Sequence, residues 1–323
     1  MKAFFIITRT NEMHKHIESF TCLPGNEAKH FMFEHRQTGG LPSEQALDAH
    51  IMKEAAAYAP DIIVYVGACQ GRMPSSPMFR ELRTRVAPTV AFISDAGDKP
   101  WWAKVLEFDR EKAFAAQVAL DGGGEWPQAD HHLAALTPLD PRYFPTPIKP
   151  HAERSMFFGY TGNPGAAQRK GVAIGRLLFT DKMKQLGLHH RHRMQSFCDL
   201  ERDAKTYADA AKFMSDIRVM PNFSHTGSYE RHHVKGRVVE AGWAGSLLME
   251  MKAAPTREWF TVGEDFLEYE TIEDVEKILV HFKNRPEESQ AFGERLRKKV
   301  EEQHSPAKFW ERIVERVGLK VPA

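Results

Sequence analysis

The segment Pro221-Asn222-Phe223-Ser224-His225-Thr226-Gly227-Ser228-Tyr229 crowds small, hydroxyl and amide residues between an expected strand and an expected helix. Free backbone N–H groups and the positive end of a helix dipole favour an anion at such a junction, and a diphosphate suits the position. Lys235, Arg237 and Glu240 follow directly, within His232 to Gly245. On a helix, Arg237 and Glu240 are three apart and Lys235 is five before Glu240, so cations and a carboxylate could line one end of a cleft. A carboxylate there could accept hydrogen bonds from ribose hydroxyls. The same residue types at the same spacing also describe an ordinary solvated helical face.

These groups need a framework, and the chain alternates short β-branched runs with longer amphipathic stretches, as βα units with a parallel sheet do. The first half offers strands at 4–8, 62–66, 88–93 and 117–120, with helices at 41–59 and 76–85. Between 127 and 150 six prolines fall in a stretch without sustained periodicity, which reads as a linker. The alternation then restarts at 156–160, followed by the glycine turn Thr161-Gly162-Asn163-Pro164-Gly165 and a helix through Leu178. Further strands are expected at 193–197, 217–220, 246–251 and 266–269, and helices at 203–214, 230–243, 272–284, 286–303 and 306–317. The expected fold is α/β: two doubly wound Rossmann-like domains facing a central cleft. Their bounds are 1–126, a linker at 127–154, 155–305, and a closing helix at 306–323 that packs back on the first domain. Open α/β sheets bind ligands at the carboxyl ends of their strands, so the cleft is the expected site.

Composition narrows the partners. The 323 residues are 42% hydrophobic and 27% charged, with 44 Lys+Arg against 43 Asp+Glu, so a net charge of +1 supplies no global field for nucleic acid or an acidic membrane. Cys22, Cys69 and Cys198 are odd in number and far apart, which points to a reducing, cytoplasmic setting and to no zinc site. The apolar run before Arg9 is too short for a signal segment and reads as a first strand. No window reaches the roughly 18 to 20 apolar residues of a membrane helix, which leaves only peripheral membrane association open. His189-His190-Arg191-His192-Arg193 would point alternately to both faces of a strand, which suits a solvated basic edge better than a metal.

The block from Lys235 to Gly245, with Ser246-Leu247-Leu248-Met249-Glu250-Met251 behind it, resembles the nucleotide-sugar-binding region of GT-B glycosyltransferases. In particular it is similar to the spore-maturation-protein (CgeB-like) group with its "group 1 glycosyltransferase" C-terminal domain, where a K/N-x-R-x-x-E-A helix precedes a small-residue turn and a strand. The similarity continues through Trp259 to Asp265, Tyr269 to Val275, Arg285-Pro286-Glu287-Glu288 and Gln303 to Trp310, and it includes the junction stretch Leu139 to Pro145. It spans about residues 127 to 317 in the family's order, which is stronger than any single motif. Retaining members of the wider class place a second glutamate eight positions before the one matching Glu240, and His232 stands there instead. The CgeB-like group does not depend on the full pair.

The resemblance implies a metal-independent transfer of a sugar from a nucleotide diphosphate sugar, with no tightly bound cofactor. Glu240 would hold the ribose, while Lys235 and Arg237 would offset diphosphate charge in the ground state and as the leaving group develops. Arg169 and Lys170 would act likewise, Gly162 and Asn163 would let backbone N–H groups approach the phosphates, and Arg218 would lie on the strand beside the base. Asn222, Ser224, His225, Thr226, Gly227 and His232 complete the expected donor side. The unidentified acceptor, a glycan, protein or small molecule, would meet loops of the first domain carrying Arg9, Gln70, Asp95 and Trp101. Asp95 is the best placed carboxylate for a general base, although a helix cap or turn residue ahead of Lys99-Pro100 is its more ordinary reading.

Two other classes compete: a non-catalytic nucleotide- or sugar-binding module of the same fold, which His232 makes conceivable, and an NAD-dependent oxidoreductase. The latter is disfavoured because no GxGxxG follows the first strand, and Gly122-Gly123-Gly124 precedes the proline-rich stretch instead of a helix.

Overall fold

The computed structural model describes residues 1–8, 13–33, 43–67, 74–94, 106–122, 132–162, 181–191, 199–225 and 231–320. The chain divides into two units, one of Met1–Asp140, Ser196–Ala204 and Pro306–Ala323, the other of Pro141–Gln195 and Lys205–Ser305.

In the first unit the described elements are β1 (Lys2–Ile7), α1 (His14–Thr21), β2 (Glu27–Met32), α2 (Glu44–Tyr58), β3 (Ile62–Val66), α3 (Ser76–Arg85), β4 (Thr89–Ile93), β5 (Ala116–Ala119) and β6 (His132–Ala134). The strands form one parallel sheet in the order β2-β1-β3-β4-β5-β6. Every residue of β3, β4 and β5 is buried, because helices cover both faces, and this explains why β3, and β4 after Thr89, read as continuous apolar runs without alternation. Serine caps start the helices where the sequence turns out of a loop: Ser43 accepts from the Ala46 N–H at 3.1 Å and Ser75 from the Met78 N–H at 3.2 Å.

The second unit holds β7 (Met156–Thr161), β8 (His189–Arg191), α4 (Leu200–Ser215), β9 (Ile217–Pro221), α5 (Gly236–Ala244), β10 (Leu247–Met251), β11 (Phe266–Tyr269), α6 (Ile272–Phe282) and α7 (Pro286–Gln303), with α4 entering from the first unit's Ser196–Ala204. Its sheet is also parallel, in the order β11-β10-β9-β7-β8. The last helix, α8 (Pro306–Arg316), belongs to the first unit, where Phe309, Trp310 and Ile313 join the cluster formed by Phe5, Phe20 and Phe92. Trp310 Nε1 donates to Ser19 Oγ at 3.2 Å, so the indole is buried with its one donor satisfied.

Helix α5 lies in the interior of its unit, with Arg237 through Ala244 all buried. Its last carbonyls are each taken by a basic side chain: Trp243 O by Arg297 Nη1, Ala244 O by Arg154 Nη2 at 2.8 Å, and Gly245 O by His151 Nε2 at 2.7 Å. These are the acceptors a helix leaves orphaned, and the two guanidiniums, being positive, also suit that end of the dipole. Gly245 ends the helix at φ +63°, and Gly293 of α7 meets it so closely that a Cβ on Gly293 would stand 2.1 Å from Gly245 O. Helices α5 and α7 therefore touch through glycine.

Several expectations shift. Helix α5 begins at Gly236 instead of 230, so Lys235 is an extended N-cap residue (φ −75°, ψ 151°) and not part of the helical face. The proline-rich stretch read as a linker contains β6, paired in parallel with β5, and the first unit runs to Asp140. A three-residue strand carries too short a pattern to register among prolines. The strand beyond β7 is His189–Arg191, ahead of the expected 193–197, which lies outside the described residues.

Candidate functional site

In each sheet the connections leave one strand in opposite directions. The chain passes from β7 to β8 on one side, then crosses back to β9 on the other and continues away to β10, which makes the carboxyl ends of β7 and β9 a topological switch point. Loops part there and expose backbone groups, and ligands of open α/β sheets bind in that opening. Since β9 and β10 are parallel, the connecting α5 runs against both, and its amino end returns to the same edge. The first turn of α5 holds no acidic side chain to occupy that end.

Arg237, in this first turn, spans the opening. It forms an ion pair of 2.6 Å with Glu240, donates through Nη2 to Thr161 O at the end of β7, and lies 5.4 Å from the Tyr160 ring centroid. Its exposure is 8% and that of Glu240 is 3%. A buried pair such as this is costly to assemble and more costly to break, because either ion alone would lack compensation. Arg237 Nε has no hydrogen-bond partner among the described residues. Gly162, next along β7, adopts φ +138°, its N–H donates to Arg191 O at 3.1 Å, and its carbonyl lies 2.9 Å from His190 Nε2. A side chain there would strain the backbone and meet Tyr160 Oη at 2.8 Å.

Beyond β9, His225 and His232 form a bridge, their rings 4.4 Å apart, and His232 Nδ1 lies 2.7 Å from the fully buried Ser224 Oγ. Burial, aided by the neighbouring His233, lowers the His232 pKa and favours the neutral ring. Position 232 thus holds a group that can accept or donate a hydrogen bond without carrying charge.

One carboxylate here escaped the sequence reading. Glu250, fully buried at the end of β10, accepts from Asn222 Nδ2 at 2.7 Å, Thr256 Oγ1 at 2.9 Å and the Met251 N–H at 2.8 Å. Burial pushes its carboxyl up to about 7, although these three donors and Lys235 favour the ionised form. The available signal was an acidic residue inside the apolar run Leu247-Leu248-Met249-Glu250-Met251.

Of the residues expected on the donor side, the structure gathers Gly162, Asn222, Ser224, His225, His232, Lys235, Arg237 and Glu240 on the carboxyl edge of this sheet or at the adjoining helix end. Arg218 is not brought there. It stands near the amino end of β9, donates to Phe282 O at 2.8 Å and Lys283 O at 3.3 Å, and lies 4.9 Å from the Phe157 ring, so it closes the end of α6. Asn163, Arg169, Lys170, Thr226 and Gly227, and on the acceptor side Arg9, Gln70, Asp95 and Trp101, lie outside the described residues. Among the described residues, no group of three or more His, Cys, Asp or Glu could hold a metal ion, and no helix is long and apolar enough to cross a membrane.

Two parallel α/β sheets, one in each unit, define the class: the fold is that of the GT-B glycosyltransferases. Residues 176–315 match the family model described as "Glycosyl transferase-like". Among solved structures, HepE of Anabaena, in complex with UDP and glucose, superposes with a TM-score of 0.61 at 11% identity, covering 98% of both chains. Sucrose-phosphate synthase of Thermosynechococcus elongatus gives 0.61 at 10% identity, covering 98% of this chain and 99% of its own. An alpha-glucosyltransferase in complex with UDP and a 13-mer DNA gives 0.64 at 10% identity over the same shares. No curated protein matches by sequence.

Proposed function

We propose that the protein transfers a sugar from a nucleoside diphosphate donor, bound by the second unit, to a hydroxyl of an acceptor bound by the first. The observation that carries this reading is the buried Arg237–Glu240 pair at the β7–β9 switch point, at the amino end of a helix whose first turn has no acid of its own. Glu240 accepts hydrogen bonds from the ribose hydroxyls. Lys235, Arg237 and the first N–H groups of α5 offset the diphosphate, most strongly when the bond to the anomeric carbon breaks and the leaving group gains charge. Gly162 with Asn163, and Arg169 with Lys170, serve the phosphates from the β7 side. UDP is the first nucleotide to try, since it occupies the HepE and alpha-glucosyltransferase complexes.

In the transfer the acceptor oxygen bonds the anomeric carbon, the carbon–oxygen bond to the diphosphate breaks, and the acceptor proton passes to a base. Asp95 is our candidate for that base, with Arg9, Gln70 and Trp101 around the acceptor. The cations and the helix end do the work a metal would do, so transfer proceeds without one. Among GT-B enzymes we place the chain with the spore-maturation-protein (CgeB-like) group on the block from Lys235 to Met251, and its setting in the cytoplasm, with peripheral membrane association as an alternative.

A thermal-shift panel of UDP, GDP, ADP, CMP and TDP with their sugars tests the reading, because a ligand bound only by the native state raises the midpoint. Glu240→Gln, which keeps the size of the side chain beside Arg237, should weaken whichever nucleotide binds by about tenfold, as loss of a charged hydrogen bond does. Unchanged affinity in the folded variant sinks the site assignment. The neutral His232 gives a binding module without transfer a specific footing, and release of free sugar or glycosylated acceptor separates the two.

A further inference from the structure

Asn222 is held at three points. Its N–H donates to Met249 O at 2.8 Å, its backbone carbonyl accepts from Tyr269 Oη, and its side-chain Nδ2 donates to Glu250 Oε2 at 2.7 Å. Glu250 meets a donor at each oxygen, Asn222 Nδ2 and Thr256 Oγ1 at Oε2 and the Met251 N–H at Oε1, so the oxygen that faces Asn222 serves as an acceptor. A carboxamide beside such a group has one favourable orientation, with the NH2 inward and the carbonyl oxygen turned the other way. That oxygen, Asn222 Oδ1, takes no hydrogen bond from the described residues, although Asn222 as a whole is only 2% exposed. Asn222 directly follows β9 at the switch point, and Lys235, at the head of α5, is close enough to Glu250 to act on its charge.

Resting on the donor-site reading above, we propose that Glu250 is a positioning residue: it fixes the Asn222 amide so that its oxygen faces the nucleotide, and the site therefore selects a nucleoside that presents a hydrogen-bond donor there. Two groups of a nucleoside diphosphate can supply that donor. One is a ring N–H of the base, as in uracil N3–H, where cytosine presents an acceptor at the same place. The other is a ribose hydroxyl.

The test is titration calorimetry of the full chain with UDP, CDP and 2′-deoxy-UDP, in wild type, Glu250→Met, Glu250→Gln and Asn222→Ala, each checked for folding by circular dichroism. Wild type is expected to prefer UDP to one of the two analogues by about tenfold, the worth of one well-made hydrogen bond; CDP as the weak binder assigns the base, 2′-deoxy-UDP the ribose. Methionine fills the Glu250 volume but leaves the amide free to turn, so the preference should fall to within about threefold of parity. Glutamine keeps an acceptor oxygen and should restore it. Asn222→Ala, which leaves Glu250 in place, should lose it as well, and this second variant carries the test if Glu250→Met does not fold. A Glu250→Met or Asn222→Ala chain that keeps the wild-type preference overturns the inference alone. A wild-type chain that binds no nucleoside diphosphate overturns the donor-site reading, and the inference with it.

Discussion

Replacing Arg237 with methionine removes a charge but little volume, and its cost can be worked from the contacts. The substitution deletes the 2.6 Å pair with Glu240, the bond to Thr161 O and the position over Tyr160, at a site where Glu240 is 3% exposed. Breaking a buried pair by removing one partner costs about 3–5 kcal/mol, most of it from the ion left behind. A single domain has about 5–15 kcal/mol to lose, so the variant should still fold. Adding Glu240→Gln removes the stranded charge, and the double variant should be more stable than Arg237→Met by about 2 kcal/mol. Urea denaturation followed by circular dichroism and by tryptophan fluorescence measures all three, with the two signals compared because two units need not unfold together. A loss below about 1 kcal/mol for Arg237→Met, or a double variant as weak as the summed singles, would refute the claim that the pair is a coupled, desolvated unit.

Other outcomes follow from the same contacts. Gly293→Ala should lower the melting temperature: helix propensity gains about 1 kcal/mol, but a Cβ 2.1 Å from Gly245 O forces α5 and α7 apart, and overpacking of this kind costs more, about 1–3 kcal/mol or above. Gly162→Ala should lose about 1–3 kcal/mol of stability from its φ of +138° and weaken nucleotide binding in calorimetry; a neutral result would remove Gly162 from the site. Acid and base act in opposite senses at two buried groups. Burial and Arg154 hold His151 down at about 3 against an ordinary 6.5, so the folded state binds fewer protons and its stability is lost as pH falls from about 6.5 towards 3. Glu250, raised from 4.5 to about 7, contributes stability below 4.5 that is lost as pH rises through 7. Each slope is about 1.4 kcal/mol per pH unit, so between 4.5 and 6.5 they offset, and Glu250→Gln should unmask a stability that rises with pH in that window. Equal slopes in wild type and variant would contradict it.

Where residues repeat a strong local pattern, the chain declares itself. Strand β3 is a run of five apolar residues and β4 one of four behind Thr89, both bounded by turn signals, and α6 carries its cap at Thr271 and Asp274. Weak patterns fail for physical reasons. Strand β2, Glu27-Ala28-Lys29-His30-Phe31-Met32, sits at the sheet edge and is polar and partly exposed, while α1 is eight residues long and buries His14, Lys15 and His16 where an apolar stripe would be sought. At the site, spacing placed Arg237 and Glu240 on one face of a helix, because residues three apart there are neighbours. Spacing could not tell that they pair with one another, that Arg218 points at the end of α6, or that Asn222 and Glu250 meet across 28 positions of chain, since each depends on strand register.

The three basic side chains on the last carbonyls of α5 bear on how the helix receives a ligand at its other end. With Arg297, Arg154 and His151 each engaged there, and eight of nine residues buried, fraying of the helix would have to break these bonds and expose its packed side chains. Its amides should exchange with deuterium only when the whole unit opens, and the rates should fall on nucleotide binding in proportion to global stability. Recognition at its amino end is then a lock cut during folding, and association should proceed with little ordering entropy from this element.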